Sequence, residues 1–141
     1  MANRQAIIES YNSLRQYSRS TLLPTCQKLY NDLKNALDRA LGSMGGYFTA
    51  IRIACAFMAS DGQLSFDEYQ LFKEISSSSC NYEELYQTVA EVSNDFRGAI
   101  EEATGNGYDV AVASYSFALA FCALKGNLSE GDLTLLSYFP N

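Results

Sequence analysis

The sequence contains no histidine. This absence removes the commonest general base and the commonest metal ligand from every mechanism open to the chain. The sequence also lacks a glycine-rich phosphate-binding loop and the Gly-x-Ser-x-Gly turn that presents a nucleophile. The adjacent carboxylates Asp67–Glu68 and Glu101–Glu102 make poor acid/base couples, because neighbouring residues on a helix do not face each other. We therefore expect a protein without enzymatic activity.

Proline and paired cysteines are also scarce. The chain has two prolines and four cysteines, and no two cysteines form a Cys-x-x-Cys pair. A zinc site is therefore not expected, and Cys26, Cys55 and Cys122 lie in apolar stretches that are typical of buried free thiols. With no secretory leader pattern at the start, we expect a reduced, cytoplasmic protein. Scarce proline and the lack of period-two alternation favour an all-α fold.

Charge is distributed unevenly along the chain. Residues 1–50 carry six basic and three acidic side chains, a net charge of +3, and residues 51–141 carry four basic and 13 acidic ones, a net charge of −9. An acidic body disfavours nucleic acid as a partner. The basic N-terminal part could associate with an anionic surface, or it could pack against the acidic body of its own chain.

The N-terminal third of the chain predicts two helices. Residues 3–18 place apolar side chains on one stripe, and a stronger amphipathic pattern begins at Pro24 and ends at Gly45–Gly46. We expect these helices to form an N-terminal hairpin, residues 1–45, packed on a body of residues 46–141. The same helices could lie on a membrane surface or bind a partner.

Two later segments are apolar on all sides. Residues 46–60 contain Arg52 as their one charge, and residues 110–124 contain none. Both are shorter than the ~20 apolar residues of a membrane span, so they predict buried core helices. Further helices are expected from Ser65, from Asn81 with Glu84 in a capping box, and after Ser129.

An internal repeat relates these two segments. Residues 51–72, IRIACAFMASDGQLSFDEYQLF, align without gaps to residues 115–136, YSFALAFCALKGNLSEGDLTLL, at an offset of 64. Gly-x-Leu-Ser is shared in register, which predicts two copies of a unit made of a buried helix, a glycine stop, an inward leucine and a serine N-cap. We expect a compact helical bundle built from this duplicated helix hairpin.

A buried, alanine-rich helix that runs into Asp-Gly-x-Leu-Ser-x-x-Glu, repeated later in the chain, resembles the TerB-like domain of tellurite-resistance proteins. The resemblance covers about residues 46–139. It implies a compact helical bundle, a bacterial origin, and a role in tellurite or envelope stress as a binding or scaffold module.

The resemblance also implies candidate metal ligands, because acidic residues of the family's Asp-Gly motif have been linked to divalent cations. Here these residues are Asp61 and Glu68 in the first copy and Asp132 in the second, with Asp67 beside them. Lys125 stands where the family would have the second copy's Asp, and a lysine there would repel a cation. The resemblance thus implies a weak Ca²⁺ or Mg²⁺ site.

Each copy of the repeat contains a connector between two helices, residues 60–70 in the first copy and 124–134 in the second. The first connector is not an EF-hand loop. With Gly62 at position 6, Asp61, Ser65 and Glu68 fall at ligand positions, but positions 1 and 3 hold Phe57 and Ala59. Two necessary oxygen ligands are therefore missing. A capping box at Ser65–Glu68, repeated at Ser129–Asp132, explains most of the motif structurally.

Two functions compete for this chain. The first is a non-enzymatic module whose acidic surface, centred on Asp61, Asp67 and Glu68, binds a cation or a basic protein partner. The second is a structural or assembly protein that forms a homodimer or binds a partner through its N-terminal amphipathic helices.

Overall fold

A computed structural model describes residues 3–60, 63–77 and 80–140. The described residues form seven α-helices and no strand, which confirms the predicted all-α fold. The helices are α1 (Arg4–Leu14), α2 (Arg19–Met58), α3 (Phe66–Ser76), α4 (Tyr82–Ser93), α5 (Phe96–Thr104), α6 (Tyr108–Lys125) and α7 (Glu130–Ser137).

Side-chain N-caps begin most of these helices. Ser65 and Ser129 open α3 and α7 with complete capping boxes, as the sequence predicts. At α4, Asn81 Oδ1 accepts from the Glu84 backbone N–H at 2.9 Å, while the Glu84 carboxylate accepts from the Asn81 side-chain amide. Asn81 is therefore an N-cap, although the reciprocal bond goes to its side chain and not to its backbone.

The predicted start of α2 at Pro24 is wrong. The helix begins five residues earlier, at Arg19, and Pro24 lies inside it. Ser18 is extended and its carbonyl accepts from the N–H groups of Thr21 and Leu22, which closes the first turn. Pro24 is the sixth helical residue, beyond the first turn where proline is best tolerated, so it leaves the Ser20 carbonyl without its usual intrahelical donor and its ring crowds that carbonyl.

The predicted helix stop at Gly45–Gly46 is also misplaced. The break lies at Gly42, whose φ of 82° is a left-handed value that glycine adopts without strain. A Cβ on Gly46 would lie 2.8 Å from the Asp38 backbone nitrogen. Residues eight apart in a straight helix are about 12 Å apart, so α2 turns sharply at Gly42.

The second half of α2 and α6 form the centre of the molecule, as their composition predicts. Helices α2 and α6 as a whole make the most extensive helix–helix contact of the described residues. Phe57, Phe117 and Phe121 are fully buried there. Helix α1 packs on α6 and α7 through the buried Ile7. The kink at Gly42 lies close to the proposed boundary between residues 1–45 and 46–141, and that division stays a prediction.

Among the described helices, α2 has the length and apolar composition that could cross a bilayer. Its most apolar window is 56% buried inside the protein, and the helix is kinked at Gly42. The core helix of a globular domain satisfies the same criterion.

Candidate functional site

The two connectors that carry the repeated motif have matching local geometry. In the first, Ser65 Oγ accepts from the Glu68 N–H at 3.1 Å, and Glu68 Oε1 accepts from the Ser65 N–H at 2.8 Å. In the second, Ser129 and Asp132 make the same pair of bonds at 3.0 and 3.1 Å. Each serine and acid thus satisfy backbone donors that a helix start would otherwise leave open.

Lys125 makes the second connector different. Its Nζ lies 3.0 Å from Asp132 Oδ2 and 3.2 Å from Oδ1, and it donates to the Phe57 carbonyl at 2.8 Å. Asp132 is fully buried and the Lys125 side chain is 13% exposed. The ammonium therefore joins the ends of α2 and α6 to the start of α7, and both carboxylate oxygens of Asp132 face this internal cation.

The structure places the candidate metal ligands in different environments. Asp61 lies outside the described residues. Asp67 is exposed, Glu68 is half-buried and Asp132 is buried against Lys125. Within residues 3–60, 63–77 and 80–140, no three Asp, Glu or Cys side chains form a group that could hold a metal ion. A metal role for these residues stays a prediction.

Glu68 and Lys125 nevertheless meet at one place. A cavity of about 260 Å³ between the connectors is lined by Glu68, Lys125 and four further residues, Met58, Ser60, Asn127 and Ser129. Glu68 and Lys125 also line a second cavity, of about 320 Å³, together with Asp67 and Glu74. The fold therefore brings both connectors to the same part of the surface.

Negative charge is concentrated on α3 and α4. Residues 63–95, called here the acidic segment, contain seven acidic residues against one lysine, which leaves a net charge of −6. Some of these carboxylates have cations nearby: Glu74 pairs with Arg19 at 2.6 Å, and Glu91 lies 3.7 Å from Arg52. Among the described residues, no basic group forms an ion pair with Asp67 or Glu83.

A groove between α2 and α4 adjoins this negative charge. It has a volume of about 490 Å³ and is called here the α2–α4 groove. It is lined by Tyr47, Phe48 and Ile51 from α2, by Glu84, Gln87, Thr88 and Glu91 from α4, and by Cys80. Phe48 is 57% exposed, although the sequence predicts that its segment is surrounded on all sides.

The sequence held only a weak signal for this groove. Glu84, Gln87, Thr88 and Glu91 recur at helical spacing on α4 and mark a polar face, but nothing in their pattern shows which helix lies beside it. The kink at Gly42 sets the course of residues 43–58 relative to α4, so the groove emerges only from the tertiary fold.

The four cysteines are all buried, as predicted for Cys26, Cys55 and Cys122. Burial raises the pKa of the Cys26 and Cys122 thiols to about 12 and also raises the pKa of Cys55. Since the thiolate is the nucleophile, these side chains are held in their unreactive form near neutral pH.

No family model, no curated protein and no solved structure matches this chain. The resemblance to TerB-like domains therefore rests on the sequence alone, on the alanine-rich helices and the repeated connector motif.

Proposed function

We propose that this protein is a non-enzymatic binding module whose acidic segment engages a basic region of a protein partner. The observation that carries the proposal is the net charge of −6 over residues 63–95, placed largely on exposed side chains of α3 and α4. Such a charge excess attracts cationic partners and accelerates their encounter with the surface.

The unpaired members of the segment strengthen this reading. Asp67 and Glu83 have no ion-pair partner among the described residues, and the paired Glu74 and Glu91 are 50% and 70% exposed. Exposed ion pairs contribute about 0–1 kcal/mol each, so a basic partner can displace them at little cost. The segment is thus available to a ligand and is not neutralised by its own chain.

The test is a calorimetric titration of the protein with a lysine-rich peptide, at low and at physiological salt. We expect binding that weakens as salt is raised, because the contacts are charged and exposed. Replacing Glu83 and Glu84 by Gln should weaken binding by about tenfold, equivalent to ~1.4 kcal/mol. The matched control replaces the adjacent pair Glu101 and Glu102 on α5, which changes the net charge by the same amount.

If both double variants bind like the wild type, or lose affinity equally, a specific role for the acidic segment is rejected. The first result would mean that these carboxylates make no contact, and the second that only net charge matters.

A second part of the proposal concerns the protein family. We propose that residues 46–139 are a TerB-like unit with an internal duplication and a role in stress responses; the two matching capping boxes at Ser65 and Ser129 support this. A duplication predicts that the two connectors superimpose beyond the caps, which a crystal structure would test.

A weak divalent-cation site at the first connector is a separate proposal. Asp61, Asp67 and Glu68 remain as candidate ligands, because Asp132 is already bound to Lys125. Titration with millimolar Ca²⁺ should then shift the amide signals of Asp61 to Glu68. Unchanged signals there would remove the metal from the proposed function and leave the basic protein partner.

The alternative function, self-assembly through the N-terminal helices, has one observation in its favour. Leu41 and Met44, at the kink of α2, are 43% and 74% exposed. By contrast, Ile7 of α1 is buried within the protein and is not available to a partner. Mass measured in solution over a range of concentrations tests this alternative: a dimer that Met44→Glu dissociates would support it, and a monomer throughout would reject it.

A further inference from the structure

The α2–α4 groove has the dimensions of a short helix-binding site. Its α4 wall consists of Glu84, Gln87, Thr88 and Glu91, residues at spacings of three and four along one face. From first to last this face extends about 10 Å, or two helical turns. A docked helix that presents apolar side chains at i, i+3 or i+4, and i+7 matches that length.

The apolar part of the groove is contributed by α2. Tyr47 and Phe48 pack edge to face with ring centroids 5.5 Å apart, and Ile51 lies one turn further along. Ile51 is 4% exposed and forms the floor, whereas Phe48 is 57% exposed and stands at the edge. An exposed ring that lines a concave surface can serve as an anchor for a partner, because aromatic residues are enriched at protein interfaces.

The charges at the two ends of the groove decide what can occupy it. Glu84 lies at one end of the α4 wall and Glu91 at the other, and both are exposed. Arg52 lies 3.7 Å from Glu91, while the Glu84 carboxylate accepts from the neutral amide of Asn81 and forms no ion pair among the described residues. An occupant that carried acidic side chains at these ends would be repelled, and lysine or arginine at both ends would be attracted.

We propose that the α2–α4 groove binds an amphipathic, basic α-helix of a partner protein. The apolar face of that helix packs on Phe48 and Ile51, and lysine or arginine side chains on its flanks pair with Glu84 and Glu91. This inference rests on the proposed function, because it assigns the basic partner to one place within the acidic surface and gives it a conformation.

The experiment uses the full-length protein labelled with ¹⁵N and three synthetic peptides of equal length. The first contains leucine at i, i+3, i+4 and i+7 with lysine elsewhere, the second is a scrambled sequence of the same composition, and the third replaces lysine by glutamate. Dissociation constants come from fluorescence anisotropy, and the binding site comes from amide shifts.

The matched variants separate the groove from the rest of the protein surface. Phe48→Ala removes the exposed ring at the groove edge, and Val112→Ala removes an apolar side chain that is 45% exposed on α6, outside the groove. Glu102→Gln removes an exposed carboxylate of α5 that lies outside both the groove and the acidic segment.

We expect the amphipathic lysine peptide to bind about tenfold more tightly than its scrambled form, with shifts at residues 47–51 and 84–91. Phe48→Ala should weaken that binding by about tenfold, and Val112→Ala and Glu102→Gln should leave it within about twofold. The glutamate peptide should not bind.

Other results overturn the inference in recognisable ways. If both lysine peptides bind equally and Phe48→Ala has no effect, the acidic segment attracts basic chains by charge and the groove binds no helix. In that case this inference fails and the proposed function stands. If no lysine peptide binds, the proposed function fails with it. If the groove signals shift with protein concentration alone, a second copy of the chain occupies the groove.

Discussion

Lys125 Nζ lies 3.0 Å from Asp132 Oδ2, and both side chains are largely buried. The same ammonium donates to the Phe57 carbonyl at the end of α2. A lysine that ends one helix thus fixes the end of a second and the start of a third. In the sequence alignment, Lys125 corresponds to Asp61, so this link belongs to the second connector only.

Replacing Lys125 should destabilise the folded protein. Lys125→Met leaves the Asp132 carboxylate buried without a counter-charge, and we expect a loss of about 3–5 kcal/mol in the free energy of unfolding. Adding Asp132→Asn, which keeps an acceptor for the Ser129 N–H, should recover about 1–3 kcal/mol. Urea denaturation measures both.

The control for this pair is Lys28→Met. Lys28 and Asp32 form an exposed ion pair at 3.0 Å, so the same substitution should cost less than about 1 kcal/mol. Equal losses for the two lysine variants would show that burial does not strengthen the Lys125 interaction.

The three N-cap serines should contribute different amounts to the free energy of unfolding, depending on what surrounds them. Ser65→Ala should cost about 1 kcal/mol and Ser129→Ala about 2 kcal/mol, because Ser129 holds the buried Asp132 in place. Ser18 caps α2 without a side-chain bond to the backbone, so Ser18→Ala should cost about 0.5 kcal/mol or less. Thermal unfolding of the three variants gives this order, and a reversed order would contradict the role of the capping boxes.

Replacing Gly42 by alanine should destabilise the protein through backbone strain and not through a steric clash. A Cβ at Gly42 would meet no atom within 4 Å, yet its φ of 82° is unfavourable for alanine. Gly42→Ala should therefore lower the free energy of unfolding by about 1–2 kcal/mol.

Gly131, inside α7, provides the comparison. A Cβ there makes ordinary contacts of 3.4–3.5 Å with Ser60, and the position is helical. Gly131→Ala should be neutral or stabilise the protein by up to about 1 kcal/mol. Denaturant midpoints for the two variants should move in different directions or by clearly different amounts.

Alkaline pH should destabilise the protein through its buried thiols. The pKa of Cys122 is about 12 in the folded protein against 9.0 for an unperturbed thiol, so the unfolded chain releases this proton first as pH rises. The stabilisation is complete below about pH 9 and is lost between about pH 9 and 12, with a slope of up to ~1.4 kcal/mol per pH unit for each such thiol.

Cys122→Ala should accordingly show a shallower fall in stability between about pH 9.5 and 11 than the wild type. Val112→Ala keeps every thiol and should retain the wild-type slope, even if its overall stability changes. Identical slopes for Cys122→Ala and the wild type would mean that this thiol ionises equally in both states. Urea denaturation at each pH gives the comparison.

Local signals predicted the helices well, and failed where a contact distant in sequence was decisive. Ser65 and Ser129 could be identified as caps because both partners of a capping box lie within three residues. Gly45–Gly46 was a reasonable helix stop by composition, but the break lies at Gly42 because Gly46 is needed for the close approach to Asp38. Composition cannot tell a glycine that turns the chain from one that permits packing.

The sequence by itself determined that this chain is all-α, where most of its helices begin, and which segments form the core, since capping and apolar periodicity act over a few residues. Only the tertiary structure decided that Lys125 fills the space beside Asp132, that Phe48 stays exposed, and that α2 and α4 enclose a groove with carboxylates at both ends. Those relationships join residues that are far apart in the chain, and the kink at Gly42 sets the path that brings α2 to α4.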